Sequence, residues 1–327
     1  MQGLCVAAYV FGPYTCYIAP YIYFLKRSYP DCYPIIFSHK HVAPEDEKAL
    51  NLLAREFSFD VVENTFGDRN WKKPQWGKAA RWLLWDKRFM DFQGVYIGDI
   101  DMLIMPEKVS LLEGHLAHCE RLGLPFSNIV RQPAMYPVRR DPRSFIVTAK
   151  LRGIREAVRL FTLAKIPSLR LSGLHFFIPE QYAPHFFHYR DKFLDLLLRR
   201  PHFLWHDRGF SNEAFLYDAM EYCGLINKVP VAPDVAGGGL CGFDDEMVYA
   251  PHHGIHVGTF RSERLVRRFF ASCRVIFSDY YNHYRALSQD SLYLSISEHF
   301  SPLLRSELDR MHRTMEKLEK ELSLDAG

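Results

Sequence analysis

The chain has 327 residues, 48% hydrophobic and 24% charged, a balance that excludes a disordered or fibrous chain and leaves material for one large α/β domain with an appendage. A formal charge of +3 is too small a bias to point to nucleic acid as a partner. Aromatic residues make up 15%, with 25 Phe and 18 Tyr, enough to fill a core, line a sugar site or meet a membrane interface.

Seven cysteines, at positions 5, 16, 32, 119, 223, 241 and 273, form no CxxC pair and read as scattered reduced thiols. The N-terminal MQGLCVAAYVFGPY lacks the basic region of a signal peptide. No window approaches the about 18 uninterrupted apolar residues of a membrane span. The expectation is a cytoplasmic protein, with any membrane contact peripheral and at the inner face.

In chain order, GLCVAAYV (3–10) is a short apolar strand stopped at Phe11-Gly12-Pro13. Residues 15–28 carry helical spacing closed by Pro30, and YPIIFS (33–38) is a second strand. Ala43-Pro44-Glu45-Asp46 opens a helix with acids in its first turn, striped by Leu50, Leu53 and Phe57, and residues 58–62 form a third strand. Strand, helix, strand, helix, strand in this order predicts a mixed, mainly parallel sheet flanked by helices. A helix is expected over about 77–90, an apolar run at 95–105 (VYIGDIDMLIM), and a strand–helix pair over 109–130. Residues 131–145, rich in Arg and Pro, read as an irregular loop, 172–182 as a strand ending in a turn, and 211–223 as a helix. Residues 234–254, rich in Gly, Asp and His, read as a site-forming loop.

The tail differs in kind. Leu304, Leu308, Met311, Met315, Leu318 and Leu322 repeat at 4-3-4-3-4 spacing among charges, either a coiled-coil seam to a second copy or further domain, or an amphipathic helix docked on its own domain. Residues 1–262 are expected to form the main domain, 263–300 a helical extension and 301–327 the heptad helix.

Asp99 and Asp101 stand one residue apart where an apolar strand ends. Burying unpaired carboxylates is costly, so both should face a cation or solvent. Ligands of open α/β sheets sit beyond the carboxyl ends of strands. Hard divalent ions such as Mn²⁺ or Mg²⁺ take carboxylate oxygens and share coordination with phosphates. The string GVYIGDIDMLIMPE resembles the DxD segment of GT-A-fold glycosyltransferases. That resemblance covers roughly residues 3–260 by order of motifs, and implies a Rossmann-like GT-A fold with a metal-held nucleotide-diphosphate sugar as donor. It places Tyr9, Phe11 and Tyr14 by the nucleobase and Lys78 and Arg81 against the nucleotide. Ser172, Gly173 and His175 fall at the loop beside donor sugar and acceptor. Glu213 or Asp207 would be the base of an inverting enzyme, although a first-turn helix acid is an ordinary place for Glu213.

Three histidines, 252, 253 and 256, fall within PHHGIHVG. Imidazole suits Mn²⁺- or Zn²⁺-like ions, so His256 first, or His253, would complete the shell of Asp99 and Asp101. Retaining family 8-type glycosyltransferases carry a comparable late His and Gly; their Lys-Pro-Trp is missing here, with Arg261 in its place as the diphosphate contact. On that similarity retention is slightly favoured, in bacterial polysaccharide assembly. The acceptor would be a glycan or a lipid-linked glycan, with 264–277 (RLVRRFFASCRVIF) and 196–206 (LLLRRPHFLWH) as basic, aromatic membrane-facing surfaces. Two other readings stand beside this one: a sugar nucleotidyltransferase, which would want a Gly-rich phosphate loop where FGPYTCY stands, and a non-catalytic scaffold.

Overall fold

The computed structural model describes residues 2–67, 74–137, 142, 145–146, 149–150, 153–163, 165–199, 212–230, 253–264, 266–267 and 274–325. Two compact units share the chain. The first comprises residues 3–68, 98–114 and 235–327, and the second 1–2, 69–97 and 115–234.

The first unit opens as the hydrophobic pattern requires. Strand β1 (Gln2–Val10) is buried from Leu4 to Val10 and pairs in parallel with β2 (Tyr33–Ser38), matching Cys5 to Tyr33 and Val10 to Ser38. In turn, β2 pairs in parallel with β3 (Asp60–Val62). Continuous rather than alternating apolar runs are what strands covered on both faces demand. Between β1 and β2, the expected helix begins as a 3-10 turn (Gly12–Tyr17) and becomes α-helical over Ile18–Ser28. Ile18 to Leu25 are all buried, so this helix is wrapped on every side, and its polar residues are confined to the last turn at Lys26 and Arg27.

The chain then forms β4 (Phe92–Gly98), turns at Asp99–Asp101 and continues as β5 (Met102–Ile104). The single run expected over 95–105 is thus two strands. The helix expected over 77–90 is also interrupted: it spans Pro74–Ala80 and gives way to 3-10 turns at Arg81–Leu83 and Lys87–Asp91. Leu84 is extended, and the Asp86 carboxylate accepts from the Arg88 backbone N–H, starting a new turn instead of continuing the old helix.

In the second unit β6 (Phe126–Ser127) follows the helix Leu111–Leu122. The expected loop over 131–145 is in part strand, since β7 (Val130–Pro137) pairs antiparallel with β8 (Lys165–Leu171) through a bulge between Arg131 and Ala134. Strand β9 (His175–Phe177) lies antiparallel to both β4 and β6, matching Ile97 to His175 and Phe126 to Phe177. Helices Pro179–Arg199 and Asn212–Tyr222 complete this unit. Its core answers the aromatic excess: Phe177 stacks on Tyr182 at 4.5 Å, and Trp85 on Phe186 at 5.0 Å. Parallel pairing in one unit and antiparallel in the other make the α/β fold mixed.

The last strand, β10 (Gly254–His256), returns to the first unit and pairs antiparallel with β5. The C-terminal helix Pro302–Asp325 packs its stripe inward against the 3-10 turn Val257–Arg261, with Leu304, Met311 and Met315 at 0% exposure. The heptad spacing is therefore that of a helix docked on its own unit. Among the described residues no helix is long and apolar enough to cross a membrane. Cys16, Cys32, Cys119 and Cys223 are free thiols.

Truncating a fully buried core side chain costs about 2–5 kcal/mol, so Met311→Ala is expected to lower the urea midpoint of unfolding. A stripe used within one chain gives the same drop at every protein concentration, whereas a seam to a second copy makes it concentration-dependent. Equilibrium unfolding at micromolar and millimolar chain distinguishes the two.

Candidate functional site

The first unit gathers the acids, the late histidines and the early aromatics. The turn after β4 is pinned by Ile100, which is buried between the two acids. Asp99 is half-buried and Asp101 buried. The register of β5 with β10 sets His256 opposite Met102, next to Asp101. The Asp101 carbonyl accepts from the Val257 N–H at 2.9 Å, and its Oδ1 lies 3.1 Å from His256 Nε2.

Two glycines make this approach sterically feasible. A Cβ at Gly254 would stand 2.0 Å from the Leu103 carbonyl oxygen, so only glycine lets β10 pair here. A Cβ at Gly258 would stand 2.6 Å from Asp101 Oδ2 and 3.6 Å from His256 Nε2. Gly258 thus leaves a cradle on the carboxylate and imidazole that any larger residue would fill.

The imidazole is oriented from behind, with His256 Nδ1 2.7 Å from Thr259 Oγ1. If the Thr259 hydroxyl donates to Nδ1, Nε2–H donates to Asp101. If Nδ1–H donates to Thr259, the Nε2 lone pair faces a carboxylate, and a cation between them is what makes that arrangement favourable. Among the described residues no group of three or more His, Cys, Asp and Glu side chains converges on one point. What is present is two donors, one carboxylate oxygen and one imidazole nitrogen beside an open glycine, of the kinds that a Mn²⁺-like ion takes.

His253 is turned elsewhere. It enters β10 in the left-handed region, φ 65°, and its Nδ1 lies 2.8 Å from Glu107 Oε1, which also accepts from the Tyr280 hydroxyl at 2.6 Å. This buried trio secures the strand that presents His256. His252 and the rest of 234–252 lie outside the described residues.

Arg261 ends the 3-10 turn after β10. Its Nε–H donates to both Glu307 oxygens at 3.0 Å, and Nη1 donates to the Tyr14 hydroxyl at 2.9 Å. The guanidinium keeps 39% exposure while Glu307, on the C-terminal helix, is 7% exposed. Nearby, Tyr17 is 1% exposed and, among the described residues, its hydroxyl has no hydrogen-bond partner. Burial, then the charges of Glu307 and Asp101, hold its phenol well above the usual range.

At the carboxyl ends of β1 and β2, the Tyr9 ring lies 5.8 Å from Phe11 and 5.5 Å, edge-on, from Phe66, and its hydroxyl meets His39 Nδ1 at 2.9 Å. His39, Phe66, Thr259 and Glu307 were not expected from sequence. Thr259, three residues beyond His256, carries the one readable signal of the four: a hydroxyl placed to orient an imidazole.

The second unit holds the remaining candidates. Arg81 is buried, lies over the Trp82 ring at 4.1 Å and donates to the Gly173 carbonyl at 3.2 Å; Lys78 is exposed. Asn128 Oδ1 accepts from the Ser172 hydroxyl at 2.7 Å and from its N–H at 2.9 Å. These contacts fix the 172–174 loop from beneath. His175 is 2% exposed and its Nε2 meets the Tyr182 hydroxyl at 2.9 Å, which meets the Tyr189 hydroxyl at 2.6 Å. Its place is thus in a buried polar chain rather than on a donor-facing surface. Glu213 Oε1 accepts from Arg131 at 2.7 Å while Oε2 faces Arg170 at 3.8 Å, so both oxygens answer guanidinium groups. Asp207 lies outside the described residues.

No family model matches the chain, and no curated protein sequence matches it. Solved structures do resemble it. The glycosyltransferase GlyE of Streptococcus pneumoniae TIGR4 is 10% identical over 72% of this chain and 46% of its own, with a TM-score of 0.37. The bifunctional glycosyltransferase WbbM is 12% identical over 91% of this chain and 52% of its own, TM-score 0.41. Core-mannan synthase A of Aspergillus fumigatus, in its Mn/GDP form, is 10% identical over 77% and 82%, TM-score 0.37. The chain spans about half the length of GlyE and WbbM. At TM-scores this low, function has to be argued from the chain's own side chains.

Burial pushes His175 down to about 3 and, with Arg121 adding, His118 down to about 4, from an ordinary 6.5. Below pH 6.5 the unfolded chain takes up protons at both sites while the native state does not, so stability is lost as pH falls. The loss reaches about 1.4 kcal/mol per pH unit for each histidine. Urea midpoints are expected to fall between pH 7 and pH 5, and His175→Gln to show a shallower dependence.

Proposed function

We propose that the chain is a metal-dependent glycosyltransferase that moves a hexose from a nucleotide-diphosphate sugar to a hydroxyl of a glycan or lipid-linked glycan. The observation that carries this reading is the approach of Asp101 to His256 above Gly258, beside a second acid two residues away. Asp99, Asp101 and His256 are the residues that would hold a divalent ion. Bound there, it would act as a Lewis acid toward the charge that builds on a departing nucleoside diphosphate.

The protein's part is orientation. Thr259 fixes the His256 ring, and Glu307 and Tyr14 hold the Arg261 guanidinium with part of it exposed, suited to a diphosphate oxygen. Tyr9 and Phe11 offer an aromatic ledge for a nucleobase. Within the second unit, Arg81 and Asn128 hold the 172–174 loop, and Lys78 is an exposed cation. In the transfer, the bond from the anomeric carbon to the diphosphate oxygen breaks and a bond to the acceptor oxygen forms. Retention is the favoured outcome, with the acceptor's proton passing to the departing oxygen on the same face. Inversion through Glu213 would require its carboxylate to leave Arg131, and inversion through Asp207 would leave that pair in place.

Nucleotide sugars supplied with Mn²⁺ are expected to release nucleoside diphosphate. Asp99→Asn and Asp101→Asn should each reduce that release by about a thousandfold or more, the scale of losing a group that stabilises transition-state charge, with little change in thermal midpoint. Unchanged release would sink the reading, and release of pyrophosphate from sugar phosphate and nucleoside triphosphate would replace it with nucleotidyl transfer. Gly258→Ala pushes the Asp101 carboxylate aside and is expected to weaken Mn²⁺ affinity about ten- to a hundredfold, read by calorimetric titration. The anomeric configuration of the product reports retention or inversion.

A further inference from the structure

The second unit carries a feature unrelated to the acids and the histidine. The helix Ile154–Thr162 sets Ile154, Ala157, Val158 and Phe161 on one arc of its surface, by helical spacing. The inner edge of that arc is used: Ala157 is fully buried, and Phe161 meets Phe145 edge-on at 5.1 Å. The outer edge is not: Ile154 is 70% and Val158 50% exposed, and Ile146 of the preceding segment is 46% exposed. Isolated apolar residues on a surface need no explanation, but a one-turn-spaced pair on the outer edge of an amphipathic helix does.

Charge says what covers it. Residues 150–170 hold six basic side chains (Lys150, Arg152, Arg155, Arg159, Lys165, Arg170) and one acid, Glu156. The difference of 6 and 1 gives +5 in a chain whose total is +3, so the rest of the chain is net acidic. Arg155 and Arg159 follow Ile154 and Val158 around the helix and are exposed, as is Lys150; Arg159 also donates to Glu156 at 2.8 and 2.6 Å, and Arg170 faces Glu213, so Lys150 and Arg155 lead the border. Apolar side chains facing outward with cations along their border match a bilayer surface, where the apolar residues enter the acyl boundary and the cations reach lipid phosphates. A nucleic acid would satisfy the cations but offers no apolar phase for Ile154 and Val158.

We propose that the helix Ile154–Thr162 is a peripheral docking face for an anionic phospholipid bilayer. This surface differs from 196–206 and 264–277, which lie largely outside the described residues, and it stands whether or not the chain transfers sugars.

The full chain is sedimented with vesicles of phosphatidylcholine alone and of phosphatidylcholine with a third phosphatidylglycerol. Binding is expected only to the anionic vesicles, and to fall steeply between 0.05 and 0.5 M salt, as screening shortens the reach of the charges. Ile154→Asp and Val158→Asp should abolish it at an unchanged thermal midpoint, since both side chains are exposed. Arg155→Gln and Arg159→Gln should each lower partitioning about fivefold. Absence of binding, equal binding to uncharged vesicles, or full binding by Ile154→Asp overturns the proposal. So does tight binding of a fluorescent oligonucleotide that the Ile154→Asp variant retains while its vesicle binding also persists.

Discussion

A carboxylate that is 8% exposed at the end of an apolar strand is the constraint around which the first unit is built. Asp101 cannot stay charged there without compensation. The chain supplies it from far along the sequence by closing β10 onto β5, and two glycines with no room for a Cβ mark how tightly that closure is made. The compensation is of an unusual kind. An arginine would neutralise Asp101 permanently, whereas an imidazole 3.1 Å away, backed by Thr259, offers either a proton or a lone pair. That makes the pair compatible with a cation that comes and goes with a ligand, which a structural ion pair is not.

The same logic separates candidates that the sequence offered side by side, with His256 ahead of His253. Two histidines in one short segment are indistinguishable by composition. His253 is committed to Glu107, which also accepts from Tyr280, and carries the backbone strain of a left-handed conformation, while His256 is the one that reaches Asp101. Ser172 and His175 stand three residues apart and look like one loop motif. One fixes a turn on Asn128 and the other belongs to a buried hydroxyl chain.

Much of the architecture was legible because burial writes it directly into the pattern. The parallel β1–β2–β3 order follows from continuous apolar runs separated by helical segments that start at a proline, and it appears with boundaries within a residue or two. What escaped depends on contacts that no local window contains. The helix over 77–90 breaks because Asp86 captures the Arg88 N–H and Trp82 donates to the Asn212 carbonyl, 130 residues on. The 131–137 segment is a strand because Lys165–Leu171 is there to pair with it. The residues around Asp101 were half legible: the DxD spacing and the late His-Val-Gly are short strings, but Glu307 sits among heptad charges that all look solvated, and nothing local separates it from its neighbours.

Glu307 also changes what the C-terminal helix is for. A heptad stripe alone is a packing device, and any well-packed apolar helix would serve. Here the buried face carries one acid, and that acid binds Arg261 through both oxygens, five residues beyond His256. Arg305 donates to the Glu298 and Phe300 carbonyls, which anchors the start of the helix. The helix therefore fixes the position of a guanidinium as well as covering a core, and the Tyr14 hydroxyl on the other side sets its direction. An unanchored arginine has several rotatable bonds to immobilise before it can meet an anion. One held by a buried carboxylate has already lost most of that freedom, so the ordering cost is met when the chain folds rather than when a ligand arrives. In this sense the tail reaches the segment that follows β10, and a chain shortened before residue 302 would keep Asp99 and Asp101 while losing the carboxylate that holds Arg261.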